Sequence, residues 1–212
     1  MKYTHIFWDW NGTLLDDVWL SVEVLSEMQE KRNLPKITAE IYKEKFAFPV
    51  IDFYTDIGFD FDKEDFQIVG AEFIDTYNSK REKCALFNGA KNLLAEIKQS
   101  EIKQSILSAY EINNLKSVVS NHDINHLFEN VVGLDNIYAH SKVELGVNYF
   151  SDLKIKPSDL LFIGDTEHDA HVADALGCDC ILLETGHSTK SRLEKTGHKV
   201  VKDVFSLKEF IF

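Results

Sequence analysis

Three aspartates, a serine and a lysine stand where side chains of those types could handle phosphorus. Asp9 closes the apolar run Ile6-Phe7-Trp8. Ser108 closes "SIL". Lys142 follows "AHS" and opens a helical stretch. Asp165 and Asp169 follow "LLFIG" in the run "GDTEHD". Three carboxylates brought together repel, and a hard divalent cation is the natural resolution. Magnesium takes one or two carboxylates, keeps several waters and accepts substrate phosphate oxygens. With charge neutralised in this way, Asp9 could attack phosphorus as a nucleophile. Lys142 would stabilise the phosphate oxygens, and Ser108 would donate a hydrogen bond to one of them. The turn Asn11-Gly12-Thr13 would offer backbone N–H groups to the transferring group, with Thr13 capping the turn or touching phosphate. Asp165 and Asp169 are four apart, so both can face one way at a helix start.

The elements that must position these residues are legible as short apolar runs alternating with helical periodicity. The runs lie near 6–8, 105–108, 131–133, 160–164, 180–184 and 198–201. They are continuous rather than alternating, as strands buried on both faces should be. Between them, 89–99, 110–122 and 142–153 carry amphipathic helical spacing, with Leu93, Leu94 and Ile97 on one face. Strand-helix alternation predicts an α/β fold with a parallel sheet and right-handed crossovers. From Val18 to Cys84 the rhythm changes to helical patterning alone, with long helices at 18–33 and 63–83 and shorter ones broken at Pro49 and Gly58. The expected organisation is an α/β core at 1–15 and 85–212, with a helical cap at 16–84 above the carboxyl ends of the strands. Ligands bind at those ends in open α/β sheets.

Bulk properties narrow the partners. The formal net charge is −12 over 212 residues, which argues against nucleic acid or an anionic membrane surface. No run reaches the length of a membrane span, and the start lacks a signal peptide's pattern, so the expected location is the cytoplasm. Cys84, Cys178 and Cys180 are an odd, sparse set, expected to be small buried apolar residues rather than a disulfide framework. Of the eight histidines, His168 and His171 are three apart at one helix start. His187 and the others lack partners at ligand spacing. The aromatic-rich stretch 45–54 reads by default as core packing. The alternative is that Phe48, Pro49 and Phe53 shape a substrate pocket facing Asp9.

The order Asp9-x-Asn11-Gly12-Thr13-Leu14, then Ser108, then Lys142, then Gly164-Asp165-x-x-x-Asp169, resembles the haloacid dehalogenase-like superfamily. The helical insert after the first motif is similar to that of its phosphoglycolate phosphatase-like members. This resemblance implies a Rossmann-like three-layer core with an all-helical cap. It also implies a magnesium-dependent phosphatase acting on a small phosphorylated metabolite, as monomer or homodimer. Asp9 would form an aspartyl-phosphate. Asp9, the Asn11 carbonyl and Asp165 would hold Mg2+, and Asp169 would support the metal or orient Lys142. Gly12, Thr13, Ser108, Ala109 and Lys142 would contact substrate.

Asn11 departs from the pattern. Most phosphatases of the family carry an aspartate there, which protonates the leaving oxygen and activates water. An amide cannot shuttle a proton at neutral pH. The enzyme is then expected to be slow, to favour good leaving groups, or to use another proton source such as His140, His168 or a cap residue. Two further readings stay open. One is a phosphonatase-type carbon–phosphorus hydrolase, which needs a Schiff-base lysine from the cap, with Lys31, Lys36, Lys43 and Lys45 available. The other is a phosphate-binding regulatory protein of weak activity.

Overall fold

The structure is a computed structural model and describes residues 2–135 and 142–212. His140, one candidate proton source, lies outside the described residues.

Six parallel strands form the central sheet: β1 (His5–Trp8), β4 (Lys103–Glu111), β5 (Asn130–Leu134), β6 (Leu160–Gly164), β7 (Asp179–Leu183) and β8 (Lys199–Val201). Their order is β5-β4-β1-β6-β7-β8, so β1 is central and the order reverses on its two sides. The apolar runs are continuous because side chains alternate between two covered faces. Ile6 and Trp8 of β1, and Leu161 and Ile163 of β6, join the larger core, with α5 (Ala90–Gln99) and α6 (Ile112–Asn121). Phe7, Leu160 and Phe162 point the other way, into a second core under α7 (Lys142–Leu153) and α8 (Glu167–Leu176). Helices on both faces of a parallel sheet make the predicted α/β architecture. Cys84, Cys178 and Cys180 are free and buried, as their sparse spacing suggested.

The chain leaves the sheet after β1 through the short strand β2 (Leu15–Asp16) and returns through β3 (Ala85–Leu86). These two pair antiparallel, Leu15 with Leu86 and Asp16 with Ala85. Between them stand α1 (Val18–Lys31), α2 (Ala39–Lys45), α3 (Val50–Asp56) and α4 (Phe66–Lys80). Thr38 caps α2, accepting from the Ile41 N–H, and Asp65 caps α4, accepting from the Gln67 N–H. Several bonds tie this helical segment to the sheet layer: Lys43 Nζ donates to the Thr185 carbonyl, Arg192 to the Lys43 carbonyl, and Thr189 to Glu44.

Candidate active site

Asp9 is the first residue after β1. Its N–H donates to the Ile163 carbonyl at 2.9 Å, which extends the ladder to β6 by one residue. This places its carboxylate at the rim beside Asp165, the first residue after β6. The α8 start is fixed by a capping box: the Thr166 hydroxyl accepts from the Asp169 N–H, and the Asp169 carboxylate reaches back to the Thr166 N–H. The carboxylates of Asp9, Asp165 and Asp169 are buried and bring one oxygen each within 4.8 Å of the others. Lys142, at the start of α7, donates to Asp9 Oδ1 at 2.6 Å and to Asp169 Oδ1 at 2.5 Å. Burial opposes the Lys142 charge, but Asp169 and Asp9 outweigh it and raise the ammonium above its ordinary range.

The three carboxylates are not equivalent. Asp169 Oδ2 accepts from the N–H groups of Asp165 and Thr166 and from the Thr166 hydroxyl, and its Oδ1 takes Lys142. Burial pushes Asp169 upward, yet Lys142 overrides it and holds the carboxyl below its usual range. Both its oxygens are committed, so it fixes Lys142. Asp9 and Asp165 are raised, chiefly by burial, with Asp169 adding repulsion. One lysine does not neutralise three buried carboxylates. An all-oxygen set carrying this surplus of negative charge fits a hard divalent cation. Asp9 accepts from Lys142 on one oxygen, and Asp165 accepts one bond on each, from the Thr13 hydroxyl and the His187 N–H, so both keep lone pairs that Asp169, with four bonds, has spent.

Two residues expected to contact substrate have their polar groups engaged by neighbouring carboxylates. Thr13 is fully buried, and its hydroxyl donates to Asp165 Oδ1 at 2.6 Å, so it steadies a carboxylate and does not face the cavity. The Gly12 N–H donates to Asp17 Oδ1 at 2.8 Å. Gly12 is required there for space. It has φ of +72°, and an added Cβ would lie 2.3 Å from Asp165 Oδ2. Gly186 is confined from the other side, its Cβ position 2.1 Å from the same oxygen.

Ser108 lies within the register shift between Leu107 and Glu111 in β4. It is buried, and its Oγ accepts from the Tyr110 N–H at 3.2 Å. Ser108 and Ala109 line the same cavity as Asp9, Asn11, Lys142 and Asp169. That cavity, about 180 Å³, continues upward between α1, α3 and α4. Phe48 and Phe53 line it, so the aromatic stretch 45–54 contributes to a pocket as well as to packing. None of Lys31, Lys36, Lys43 and Lys45 is among its described lining residues. Lys31 pairs with Glu72 and Lys36 with Glu30, Lys43 bonds the Thr185 carbonyl and Lys45 the Asp56 carbonyl. A carbon–phosphorus hydrolase would need one of them beside Asp9.

Three residues were not foreseen. Asp17, fully buried, takes the Asn11 amide at 2.8 Å and the Tyr77 hydroxyl at 2.7 Å as well as the Gly12 N–H. His187 Nε2 stands 3.3 Å from Asp17 Oδ1, and its Nδ1 meets the Tyr42 hydroxyl at 2.8 Å. Burial pushes Asp17 up, but His187, the Asn11 amide and the Tyr77 hydroxyl bring it below its usual value. The same partner brings His187 up to about 9 against burial. So Asn11 is an amide donor to a carboxylate six residues later. The adjacent acids Asp16-Asp17 were the available signal; Tyr77 and His187 are too distant in sequence to have given one. His168, offered as a proton source, is brought down to about 4 by burial and by Lys142, and Phe48 lies against it with ring centres 4.8 Å apart.

The model of the haloacid dehalogenase-like hydrolase family matches residues 6–183. A tyrosine-protein kinase PtkA of Mycobacterium tuberculosis is 24% identical over 126 residues, 59% of this chain and 43% of that protein. A phosphoglycolate phosphatase of Aliivibrio fischeri is 22% identical over 121 residues, 57% of this chain and 53% of that protein. The chain thus matches about half the length of these curated relatives. Among solved structures, a haloacid dehalogenase-like hydrolase from Streptococcus pneumoniae superposes with a TM-score of 0.84 at 19% identity, covering 99% of each chain. The Mycobacterium tuberculosis PtkA structure superposes with a TM-score of 0.81 at 18% identity, covering 99% of this chain and 98% of that one. The family model spans both ends of the carboxylate cluster, from Asp9 to Asp169, and the chain belongs to the haloacid dehalogenase-like hydrolase family.

Proposed function

We propose that the protein is a magnesium-dependent phosphomonoesterase that works through an aspartyl-phosphate on Asp9. The observation that carries this reading is the meeting of Asp9, Lys142, Asp165 and Asp169 at one sheet rim. The relatives' names, phosphoglycolate phosphatase and tyrosine-protein kinase, both denote phosphoryl transfer. Asp9, Asp165 and the Asn11 carbonyl would hold Mg2+, which when bound supplies charge neutralisation at the transferring phosphoryl group.

The residues of the chain then divide the work. Lys142 occupies one Asp9 oxygen and leaves the other for attack. That oxygen forms a bond to phosphorus while the bond to the leaving oxygen breaks, the electron pair departing with the leaving group. A water then attacks phosphorus, the bond to Asp9 breaks, and phosphate leaves with the Asp9 carboxylate restored and one proton released. Lys142 and Ser108 offer donors to the phosphoryl oxygens. The helices between Val18 and Lys80 act as a cap, the core being 1–15 and 85–212, and limit water at the acyl phosphate. Asn11 supplies no proton, and Asp17 beside it is held ionised. The leaving group therefore departs without a carboxylic acid from this motif, which favours leaving oxygens that are stable as anions.

The test is hydrolysis of acetyl phosphate and p-nitrophenyl phosphate with and without Mg2+. Turnover should require the metal and fall by at least about a thousandfold in Asp9→Asn, the loss expected when a covalent nucleophile is removed. No turnover of the parent protein above the Asp9→Asn background would refute the assignment and favour a phosphate-binding regulatory role.

A further inference from the structure

The cavity above Asp9 has a chemical bias of its own. Phe46, Phe48, Phe53, Tyr54, Phe66 and Phe73 line it from the helical segment, and Ile74 lies beside them. Among the described lining residues no Lys or Arg comes from positions 16–84. The cationic or potentially cationic groups that line it all sit at the sheet rim: Lys142, His168 and His187. Lys142 is bonded to two carboxylates and His187 faces Asp17. Residues 136–141 contain no Lys or Arg either. Three of the four described lining tyrosine hydroxyls are spent, Tyr42 on His187, Tyr77 on Asp17 and Tyr110 on Asn78 and Arg81, and the fourth, Tyr54, adds a neutral hydroxyl but no cation. A carboxylate on the leaving group would enter this space with no lysine or arginine free to pair with it and only neutral donors such as the His168 Nε2 at hand, and burying a charge without a counter-charge is strongly unfavourable. An aromatic ring would meet edges and faces of other rings. An apolar cavity of about 150 Å³ is enough for benzene, and the volume here is about 180 Å³.

Asn11 leads to the same class independently. Without an acid at that position, the leaving oxygen has to carry its charge away. A phenoxide resembles the tyrosine side chain, with a pKa of about 10, and is a far better anion than an alkoxide. From these two observations the geometry points to aryl phosphomonoesters with an uncharged ring as the substrate class, in place of phosphorylated carboxylic acids such as phosphoglycolate. This inference rests on the phosphatase reading and narrows it.

The step balances as ordinary hydrolysis: the bond between phosphorus and the aryl oxygen breaks, the aryl oxide leaves with the electron pair and takes a proton from water, and phosphate is the second product. The experiment compares phenyl phosphate, 2-phosphoglycolate and acetyl phosphate with Mg2+, using the full chain. Acetyl phosphate reports the phosphoryl chemistry without engaging the pocket. In parallel, calorimetry on Asp9→Asn measures binding of phenyl phosphate and of phosphoglycolate. The expected result is a kcat/KM at least tenfold higher, and binding at least tenfold tighter, for phenyl phosphate. Ile74→Arg should invert the order by placing a cation in the cavity. Phe48→Ala should lower the ratio of phenyl phosphate to acetyl phosphate turnover about tenfold, and it keeps the test alive should Ile74→Arg fail to fold. Turnover of acetyl phosphate together with phosphoglycolate equal to or better than phenyl phosphate overturns the substrate class and leaves the phosphatase standing. Absence of acetyl phosphate turnover overturns the phosphatase. The calorimetry then decides the pocket, and equal binding of the two esters refutes it.

Discussion

The two ends of β1 both bury an ionisable group, and they do it in opposite ways. At the amino end, His5 is buried and its Nε2 meets the Ser105 hydroxyl at 2.9 Å. Ser105 in turn meets the Tyr149 hydroxyl, which accepts from Asn130. Every partner is neutral, and burial brings the imidazole down to about 4, so it carries no charge at neutral pH. At the carboxyl end, Asp9 lies among Asp165, Asp169 and Lys142, and charge is retained and opposed by charge. A strand four residues long thus has a quiet end and a charged end. Surplus charge marks the end prepared for a ligand, because a neutral network has nothing left to neutralise.

The largest effect on stability should come from breaking the satisfied part of the charged end. Asp17→Ala removes the nearest counter-charge of His187 and takes an acceptor from Asn11, Gly12 and Tyr77. Removing one partner of a buried ion pair costs roughly 3–5 kcal/mol. Urea titration checks it, and a loss below about 1 kcal/mol would mean that Asp17 is not the anchor of the turn.

The quiet end should reveal itself by pH. The His5 imidazole titrates near 4 in the folded chain and near 6.5 when unfolded. The unfolded state therefore binds more protons between these values, and stability falls as pH drops from 6.5 to 4. The contribution at stake is about 3 kcal/mol at most. Melting temperatures of His5→Gln across that window should decline less than those of the parent protein. A parallel decline would show that other groups cause it.

The smallest effect has an unusual sign. Asp165→Asn removes one of the mutually repelling carboxylates, so the variant should be more stable than the parent in chelator, by about 1–2 kcal/mol. Millimolar Mg2+ should raise the melting temperature of the parent and leave the variant almost unmoved. Destabilisation in chelator would mean that the bonds from Thr13 and the His187 N–H outweigh the repulsion.

The sheet was legible because its strands are covered on both faces, which writes them as unbroken apolar runs. The rim residues were legible because a polar group directly after such a run has one place to go. What escaped depends on where a donor's partner lies in space. Gly12 and Thr13 sit in the right loop, yet their N–H and hydroxyl are directed to Asp17 and Asp165. Asn11 viewed alone is a missing acid. Beside Asp17 it is the neutral donor that allows a carboxylate to be buried there. His187 follows β7 in a loop without periodicity, and no spacing relates it to Asp17, 170 positions earlier by subtraction of the two numbers.

The tight fit of Gly12 and Gly186 against Asp165 has a consequence for recognition. The backbone on both flanks, together with Thr13 and the His187 N–H, leaves that carboxylate a single orientation. Its rotational freedom is surrendered when the chain folds and not when a ligand arrives. Ordering a mobile side chain on association costs roughly 0.5–1.5 kcal/mol, and this rim is rigid in advance, so selectivity among incoming molecules falls to the aromatic chamber above it.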